Sequence, residues 1–381
     1  MQRQLLLYSD APIFGGAERH LLELARMLPR NDYDITVVLS EEGSVDHLAA
    51  LIEQSGVRCR RLPAIPTLQA RGAFVKVWRF FMQNRFDVTH FQLTDARSCT
   101  GAMTAAVLAL KSRFITTEHL PRSVFDDKPL PRRVRTAASH VAHTITATEA
   151  DRAAVRARPW NKSQVHLVAN GVADDGPPSA ERRAAARRAL GFEDDQLLLA
   201  GFMGRLIPQK NPDLFVEALR RAAPVHPQAR FLVFGDGPLL PELQRKCSEL
   251  GFGEVVRWYG FRDDARELLQ GLDLFVSTSH VEAMPYCVLE AMSAGLPVLG
   301  MRIPGLIETV ADRASGVLVP PGDGDILGGA LIAALSDRDR LRRYGAVGRE
   351  RALLLFDARH TAARTAEIYA LSLHGDSSHA S

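Results

Sequence analysis

The stretch LDLFVSTSHVEAMPYCVLEAMSAGLPVLGM, residues 272–301, carries one full unit of the fold. Its first apolar run, LDLFVSTS, lacks polar alternation and ends in hydroxyl residues. That pattern predicts a parallel strand buried on both faces, with its polar end at the carboxyl edge of a sheet. Pro285 is predicted as the first helical residue, and Gly295 as the helix stop. PVLGM then reads as the next strand. Two glutamates, Glu282 and Glu290, stand on either side of the proline. Eight positions on a continuous helix would be about 800° of rotation, so the pair would not stack on one face. Glu282 is therefore placed in the loop and Glu290 inside the helix.

The same strand–loop–helix rhythm extends outward in both directions. Strands are predicted at LLLYS, ITVVLS, DVTHFQ, FITTEH, TITAT and VHLVANG in the first half. In the second half they are LLLAGFMG, RFLVFG, VVRWYG, LDLFVSTS, PVLGM and GVLVPP. Helical segments separate most of them, as in a doubly wound α/β fold, and the pattern occurs twice. A chain of 381 residues exceeds one ordinary core. The seam falls at 171–195, where GVADDGPPSAERR leads into a polar helix stopped by Gly191. The expected domains are 1–175 and 176–356. A helix over 357–373 either closes the second domain or crosses back to the first, and 374–381 is expected to be a disordered tail.

Charge and composition narrow the function. The net charge is +3, but residues 1–172 carry 23 Lys+Arg against 16 Asp+Glu, and the remainder 24 against 28. A basic first half suits phosphate-bearing partners or an anionic surface; scattered solvated arginines would give the same balance. The charge is modest and no recognition motif is present, so nucleic acid is not an expected partner. The four cysteines are far apart, with no metal-ligand spacing. No run reaches about 18 apolar residues, and the N-terminal apolar run is short for a signal peptide. A cytoplasmic protein is expected.

In open α/β sheets ligands bind beyond the carboxyl ends of the strands, so the chemistry is sought in the strand-to-helix loops. In FMGRLIPQKNPDLFVEALRRA, Arg205 and Lys210 follow a strand, Asn211 is a suitable N-cap and Pro212 a suitable first helical residue. Two cations beside free helix N–H groups would form an anion site suited to a diphosphate. In APIFGGAERHLLELARML, Gly15 and Gly16 lie between strand and helix, and Ala17, Leu21, Leu24 and Leu28 form an apolar stripe. FITTEHLPR puts the polar pair Glu118 and His119 at a strand end, pointing toward ligand. FGDGPLLPEL is read as a turn with a helix opening at Pro238, and WYGFRDD as a loop able to flank a base. Paired acceptor oxygens on Glu282 and Glu290 suit the adjacent hydroxyls of a sugar or ribose. Asp323 and Asp325 in PPGDGDILGG fit helix capping better than metal binding.

Taken in order, GGAERHLLELARML, TEH, NGV, GRLIPQKNPDLFVEAL, GDGP and EAMPYCVLEAMSAGLPVL resemble the retaining family-4 glycosyltransferases. The resemblance covers nearly the whole chain. It implies the GT-B fold: α/β, with two Rossmann-like doubly wound domains facing a cleft. It implies a nucleotide-sugar donor as substrate, no cofactor and no metal. By this resemblance Arg205 and Lys210 bind the diphosphate, and Glu282, with the following backbone of Ala283 and Met284, meets the transferred sugar. Glu290 binds the ribose, and Gly204 and Gly235 line the donor loops. Gly260 lies where the base is held, Gly15 and Gly16 approach the donor phosphate, and His119 contacts the sugar, with position 6 suggested. Two departures stand out. Ala283 occupies a position that is glycine in the usual pattern, at a cost of about 1 kcal/mol if its backbone needs positive φ. IPG at 303–305 replaces a more usual glycine pair.

The resemblance also leaves open a sugar-nucleotide epimerase or a non-catalytic nucleotide-sugar binder of the same fold. The acceptor would be a glycan, a lipid-linked molecule or a small molecule. Residues 71–86 mix Phe74, Trp78, Phe80 and Phe81 with Lys76, Arg79 and Arg85. This is the composition of a peripheral membrane contact. It is also that of an ordinary helix burying its aromatics, which is the preferred reading. PRSVFDDKPLPRRVRT, 121–136, is a basic loop suited to an anionic acceptor.

Overall fold

The apolar runs become parallel strands because residues on both sides of each strand find helices to cover them. The structure, a computed structural model, describes residues 2–65, 70–110, 114–121 and 131–375. Two compact units result, one formed by Met1–Ala173 with Ala358–Ser381 and the other by Asp174–Asp357.

The first unit holds β1 (Arg3–Tyr8), β2 (Tyr33–Ser40), β3 (Arg58–Leu62), β4 (Val88–Leu93), β5 (Phe114–Glu118), β6 (Val141–Thr146) and β7 (Gln164–Leu167). They form one sheet in the order β3-β2-β1-β4-β5-β6-β7. β1 shows how the sheet sorts its side chains. Leu5 and Leu7 join Leu21, Leu24, Ile115 and Tyr369 on one face. Leu6 and Tyr8 join Phe81, Phe91 and Phe114 on the other. This is the period-2 alternation of a strand, with both faces apolar.

β3 was not among the expected strands. It reads RCRRL, has no apolar run, and pairs on one side only, with β2. Edge strands tolerate such charge, and it discourages pairing with other chains.

In the helix Arg71–Gln83 the aromatics pack as the ordinary-helix reading expects. Val77 and Phe81 are buried, and Phe74, Trp78 and Phe80 pack against the same cluster as Phe91. Arg79 and Arg85 remain exposed. The aromatics are core, and no helix among the described residues is long and apolar enough to cross a membrane. Of the basic loop 121–136, residues 122–130 lie outside the described residues, as do 376–381 of the expected tail.

The last helix, Ala358–Gly375, belongs to the first unit. Thr361 Oγ1 donates to the Ala169 carbonyl at 2.8 Å, and the Ala358 N–H to that of Val172 at 3.2 Å. Ile368 and Tyr369 enter the core beside Leu21 and Leu24.

The second unit holds β8 (Leu198–Met203), β9 (Ala229–Phe234), β10 (Val256–Gly260), β11 (Leu274–Ser277), β12 (Val298–Met301) and β13 (Gly316–Val319). The order is β10-β9-β8-β11-β12-β13. The strand order reverses between β8 and β11, which is where open sheets of this kind bind ligands. The polar helix, Ala180–Ala189, is anchored by a side chain its composition conceals. Arg187 is buried, donating to Asp273 Oδ2 at 2.9 Å and to the carbonyls of Gly271, Asp194 and Leu197 at 3.1, 2.8 and 3.1 Å. Arg183 reaches the other oxygen of Asp273 at 2.8 Å. A buried charge is tolerable when paired and hydrogen-bonded in this way.

Candidate active site

Backbone bonds tie the loops at the carboxyl edge of the second sheet into one surface. The Gly204 N–H donates to the Phe234 carbonyl at 2.9 Å, Gly235 to Gly260 at 2.7 Å, and Leu206 to Asp236 at 2.8 Å. The loops after β8, β9 and β10 are therefore joined. Gly235 has φ +127°, and a Cβ there would lie 2.0 Å from the Gly204 carbonyl oxygen. Only glycine permits this approach. The helix after this turn begins at Leu240, not at Pro238.

The β8 and β11 loops are tied as closely. Thr278 Oγ1 donates to the carbonyls of Lys210 and Asn211 at 2.9 and 2.8 Å. The His280 N–H meets the Gln209 carbonyl at 2.9 Å, and Gln209 Nε2 the Val281 carbonyl at 3.2 Å. These contacts bring Lys210 Nζ to 2.5 Å from Glu282 Oε1, and Ser279 Oγ donates to the same oxygen at 2.7 Å. Burial opposes the charge on Lys210, but the adjacent Glu282 outweighs it, and the lysine pKa is raised. Lys210 is thus fixed as a cation at the start of the helix Pro212–Val225. Arg205 is exposed on the same loop, and its side chain has no hydrogen bond or ion pair to any described residue.

Asn211 occupies the expected N-cap position for a different reason. Its side chain makes no capping bond; its backbone turns through φ +47°, ψ +53°. Asparagine visits the left-handed region more readily than most residues. The chain thereby leaves a short 3-10 turn, Pro208–Lys210, and enters the helix at Pro212.

The stretch that defines the fold needs one correction. Pro285 is the N-cap, with extended ψ of 125°, and the helix is Tyr286–Ser293. Glu282 lies in the loop and Glu290 in the helix, both buried. Cys287 sits between them: burial pushes its thiol up to about 12, with Lys210 opposing and Glu282 and Glu290 adding to the rise. Glu290 also lines a cavity of about 300 Å³ with Asp175, Arg182, Asp264, Arg266 and Ser293.

Ala283 carries no backbone strain, because its φ is not positive. It and Met284 are buried. The close approach here belongs to Gly305, which the sequence marks only as part of a departure. A Cβ on Gly305 would lie 1.9 Å from the Ala283 carbonyl oxygen and 2.6 Å from that of Glu282. The helix Pro304–Thr309 therefore supports the Glu282 loop from below through a glycine.

In the first unit, the helix Gly16–Met27 starts directly after Gly15, its N-cap. Glu18 accepts from the Gly15 N–H at 3.1 Å and from Ser9 Oγ at 2.9 Å. This capping box fixes the two glycines and leaves helix N–H groups at the strand end. Glu118 and His119 do not act as a pair. Successive strand residues point to opposite faces. Glu118 is buried against Arg158 at 2.8 Å, while His119 Nε2 meets Gln92 Oε1 at 2.9 Å. Burial, then the neighbouring His20 and His90, hold the His119 pKa well below the ordinary histidine value. It is a neutral imidazole at pH 7.

Among the described residues no group of three or more His, Cys, Asp or Glu side chains could hold a metal ion. Asp323 caps the helix Gly324–Leu335, accepting from Asp325 N–H at 2.8 Å and Ile326 N–H at 3.0 Å.

Comparison with known proteins bears on the family and the fold. Residues 183–351 match the family model for glycosyl transferases group 1, and residues 14–175 the model for glycosyltransferase family 4. An Escherichia coli UDP-Gal:alpha-D-GlcNAc-diphosphoundecaprenol alpha-1,3-galactosyltransferase is 23% identical over 339 residues, 86% of each chain. A GDP-mannose-dependent alpha-(1-6)-phosphatidylinositol monomannoside mannosyltransferase from Mycolicibacterium smegmatis is 25% identical over 376 residues, covering 96% of this chain and 97% of its own. The crystal structure of Anabaena HepE in complex with UDP and glucose superposes with a TM-score of 0.81 at 20% identity, over 97% of this chain and 100% of that one. With both units matched by family models and by structures of the GT-B architecture, the chain belongs to the family-4 type of glycosyltransferases with the GT-B fold.

Proposed function

We propose that the protein transfers a sugar from a nucleotide-sugar donor to an acceptor hydroxyl, with retention at the anomeric carbon and without a metal ion. The observation that carries this reading is the cationic corner of the second unit. Lys210 is held by Glu282 at the N-terminus of the helix Pro212–Val225, with Arg205 unengaged on the same loop. Two cations and free helix N–H groups stabilise a diphosphate, most of all as it departs and gains charge.

In the proposed reaction the bond from the anomeric carbon to the phosphate oxygen breaks. A bond to the acceptor oxygen forms on the same face, and the acceptor proton passes to the leaving diphosphate. Glu282 meets hydroxyls of the transferred sugar and Glu290 those of the ribose. Ala283 and Met284 present backbone to the sugar. Gly204, Gly235 and Gly260 form the donor surface, with Gly260 toward the base. Gly15, Gly16 and His119 keep the roles implied by the family pattern. Relatives named for UDP-galactose and GDP-mannose support trying UDP- and GDP-sugars first as donors, and lipid-linked glycans as acceptors.

A thermal-shift screen of UDP-, GDP-, ADP- and TDP-sugars tests the donor class, because a ligand that binds only the folded state raises its melting temperature. One nucleotide class should stabilise the protein. NMR of the product's anomeric configuration, with EDTA present, then tests retention and metal independence. An inverted product or loss of turnover in EDTA would reject the corresponding part.

A further inference from the structure

A stripe of polar residues runs across the otherwise apolar inner face of the first sheet. His90 and Gln92 alternate on β4, and Thr117 and His119 on and just after β5. His90 is buried, with Nδ1 at 2.7 Å from the Tyr369 hydroxyl and Nε2 at 2.8 Å from Thr117 Oγ1. Gln92 is 1% exposed and spans two histidines. Its Nε2 lies 3.3 Å from His90 Nε2, and its Oε1 lies 2.9 Å from His119 Nε2. His119 is half-buried, and its Nδ1 has no hydrogen-bond partner among the described residues.

The donor count fixes the rest. An amide oxygen only accepts, so His119 must carry its proton on Nε2 to bond Gln92 Oε1. In a neutral imidazole the other nitrogen is then an acceptor. This orientation of Gln92 goes with a His90 that carries its proton on Nδ1, toward the Tyr369 hydroxyl, and accepts from the Gln92 amide N–H at Nε2. His90 is in turn fixed from the far side by Tyr369 on the last helix. His20 packs edge-on to His119, with ring centroids 4.9 Å apart. Burial lowers the His20 pKa to about 4, so it adds no positive charge at neutral pH.

We propose that Gln92 is a positioning residue that locks His119 in the Nε2–H tautomer, so that its Nδ1 accepts a hydrogen bond from a substrate hydroxyl. Tyr369 and His90 hold the amide of Gln92 in the required sense. The role of His119 toward substrate rests on the glycosyltransferase reading above; the tautomer does not.

The full chain labelled with ¹⁵N-histidine, observed by long-range ¹H–¹⁵N correlation at pH 7, reads the tautomer directly. The H119Q variant assigns the signals by deleting them. His119 should show a protonated Nε2 and an unprotonated Nδ1. Q92M should give a mixture of tautomers and lower kcat about five- to tenfold, measured as donor turnover with UDP-glucose, UDP-galactose and GDP-mannose. Q92E should raise the His119 titration point, because a carboxylate then faces its Nε2–H. Should Q92M fail to fold, Q92E and Y369F carry the test, with Y369F loosening the tautomer less than Q92M. An Nδ1–H tautomer in the wild type, or a His119 indifferent to residue 92, would overturn the proposal. If the tautomer is as stated but H119A turns over normally, the substrate role of His119 fails and the hold of Gln92 on it stands. If H119A is impaired while Q92M matches the wild type in tautomer and rate, the positioning proposal alone fails.

Discussion

The two units share a strand order around their switch points but place different polar groups there; the first unit's pair of Glu118 with Arg158 lies on the face of β5 opposite to His119. In the first unit the inner face carries neutral imidazoles, an amide and hydroxyls: His20, His90, Gln92, Thr117, His119 and Tyr369. In the second, charges are paired: Arg187 with Asp273, and Lys210 with Glu282. Neutral hydrogen-bonding groups suit hydroxyls; fixed cations suit a diphosphate. The division of labour proposed for the enzyme follows from this difference in how each sheet satisfies its interior.

The comparison can be broken most severely at Arg187. R187A strips Asp273 of one of its two arginines and leaves the carbonyls of Gly271, Asp194 and Leu197 without their donor, and should destabilise the second unit by about 3–5 kcal/mol. Urea unfolding followed by hydrogen exchange would show the loss confined to Asp174–Asp357. Lys210 comes next: K210A should lower turnover about 100-fold or more, near 3 kcal/mol of barrier, with its fold retained. Steady-state kinetics with the donor found by thermal shift checks this.

Acid should act on the first unit. The His20 pKa drops from 6.5 to about 4 on folding because the ring is buried. Between those values the unfolded chain binds the extra proton, so stability rises with pH across the window and falls as pH drops from 6.5 toward 4. For His20 alone the loss approaches about 3 kcal/mol. His90 and His119 shift in the same direction, also through burial first. Hydrogen exchange at pH 7 and pH 5 should show the first unit opening more readily at pH 5; equal change in both units would contradict this. The smallest effect is A283G. Because Ala283 is not in the left-handed region, glycine relieves nothing and should cost about 0.5–1 kcal/mol by chemical denaturation.

Much of this was legible in the sequence because parallel strands announce themselves as unbroken apolar runs. β1, β8 and β11 are such runs, and their loops carry Gly15, Arg205, Lys210 and Glu282 within a few residues of the strand ends. What escaped was either nonlocal or patterned against expectation. β3 is an edge strand of arginines. Arg187 looks like one more solvated charge, because Asp273 lies 86 residues away. Tyr369 reaches His90 across 279 residues. The His90–Gln92 and Thr117–His119 alternation was visible, and polar residues at period 2 inside apolar strands would have pointed to a buried network. Glu118 and His119 form a pair only in sequence; the strand sends them to different partners. Gly305 gives no local sign of the Glu282 loop above it.

The central claim is that Arg205 and Lys210 form the diphosphate site. Isothermal titration of UDP and GDP into the wild type, R205A, K210A and H119A tests it most directly. One nucleotide should bind the wild type, at least tenfold more weakly in R205A and K210A, and with nearly unchanged affinity in H119A. Undiminished binding of that nucleotide to both R205A and K210A would contradict it.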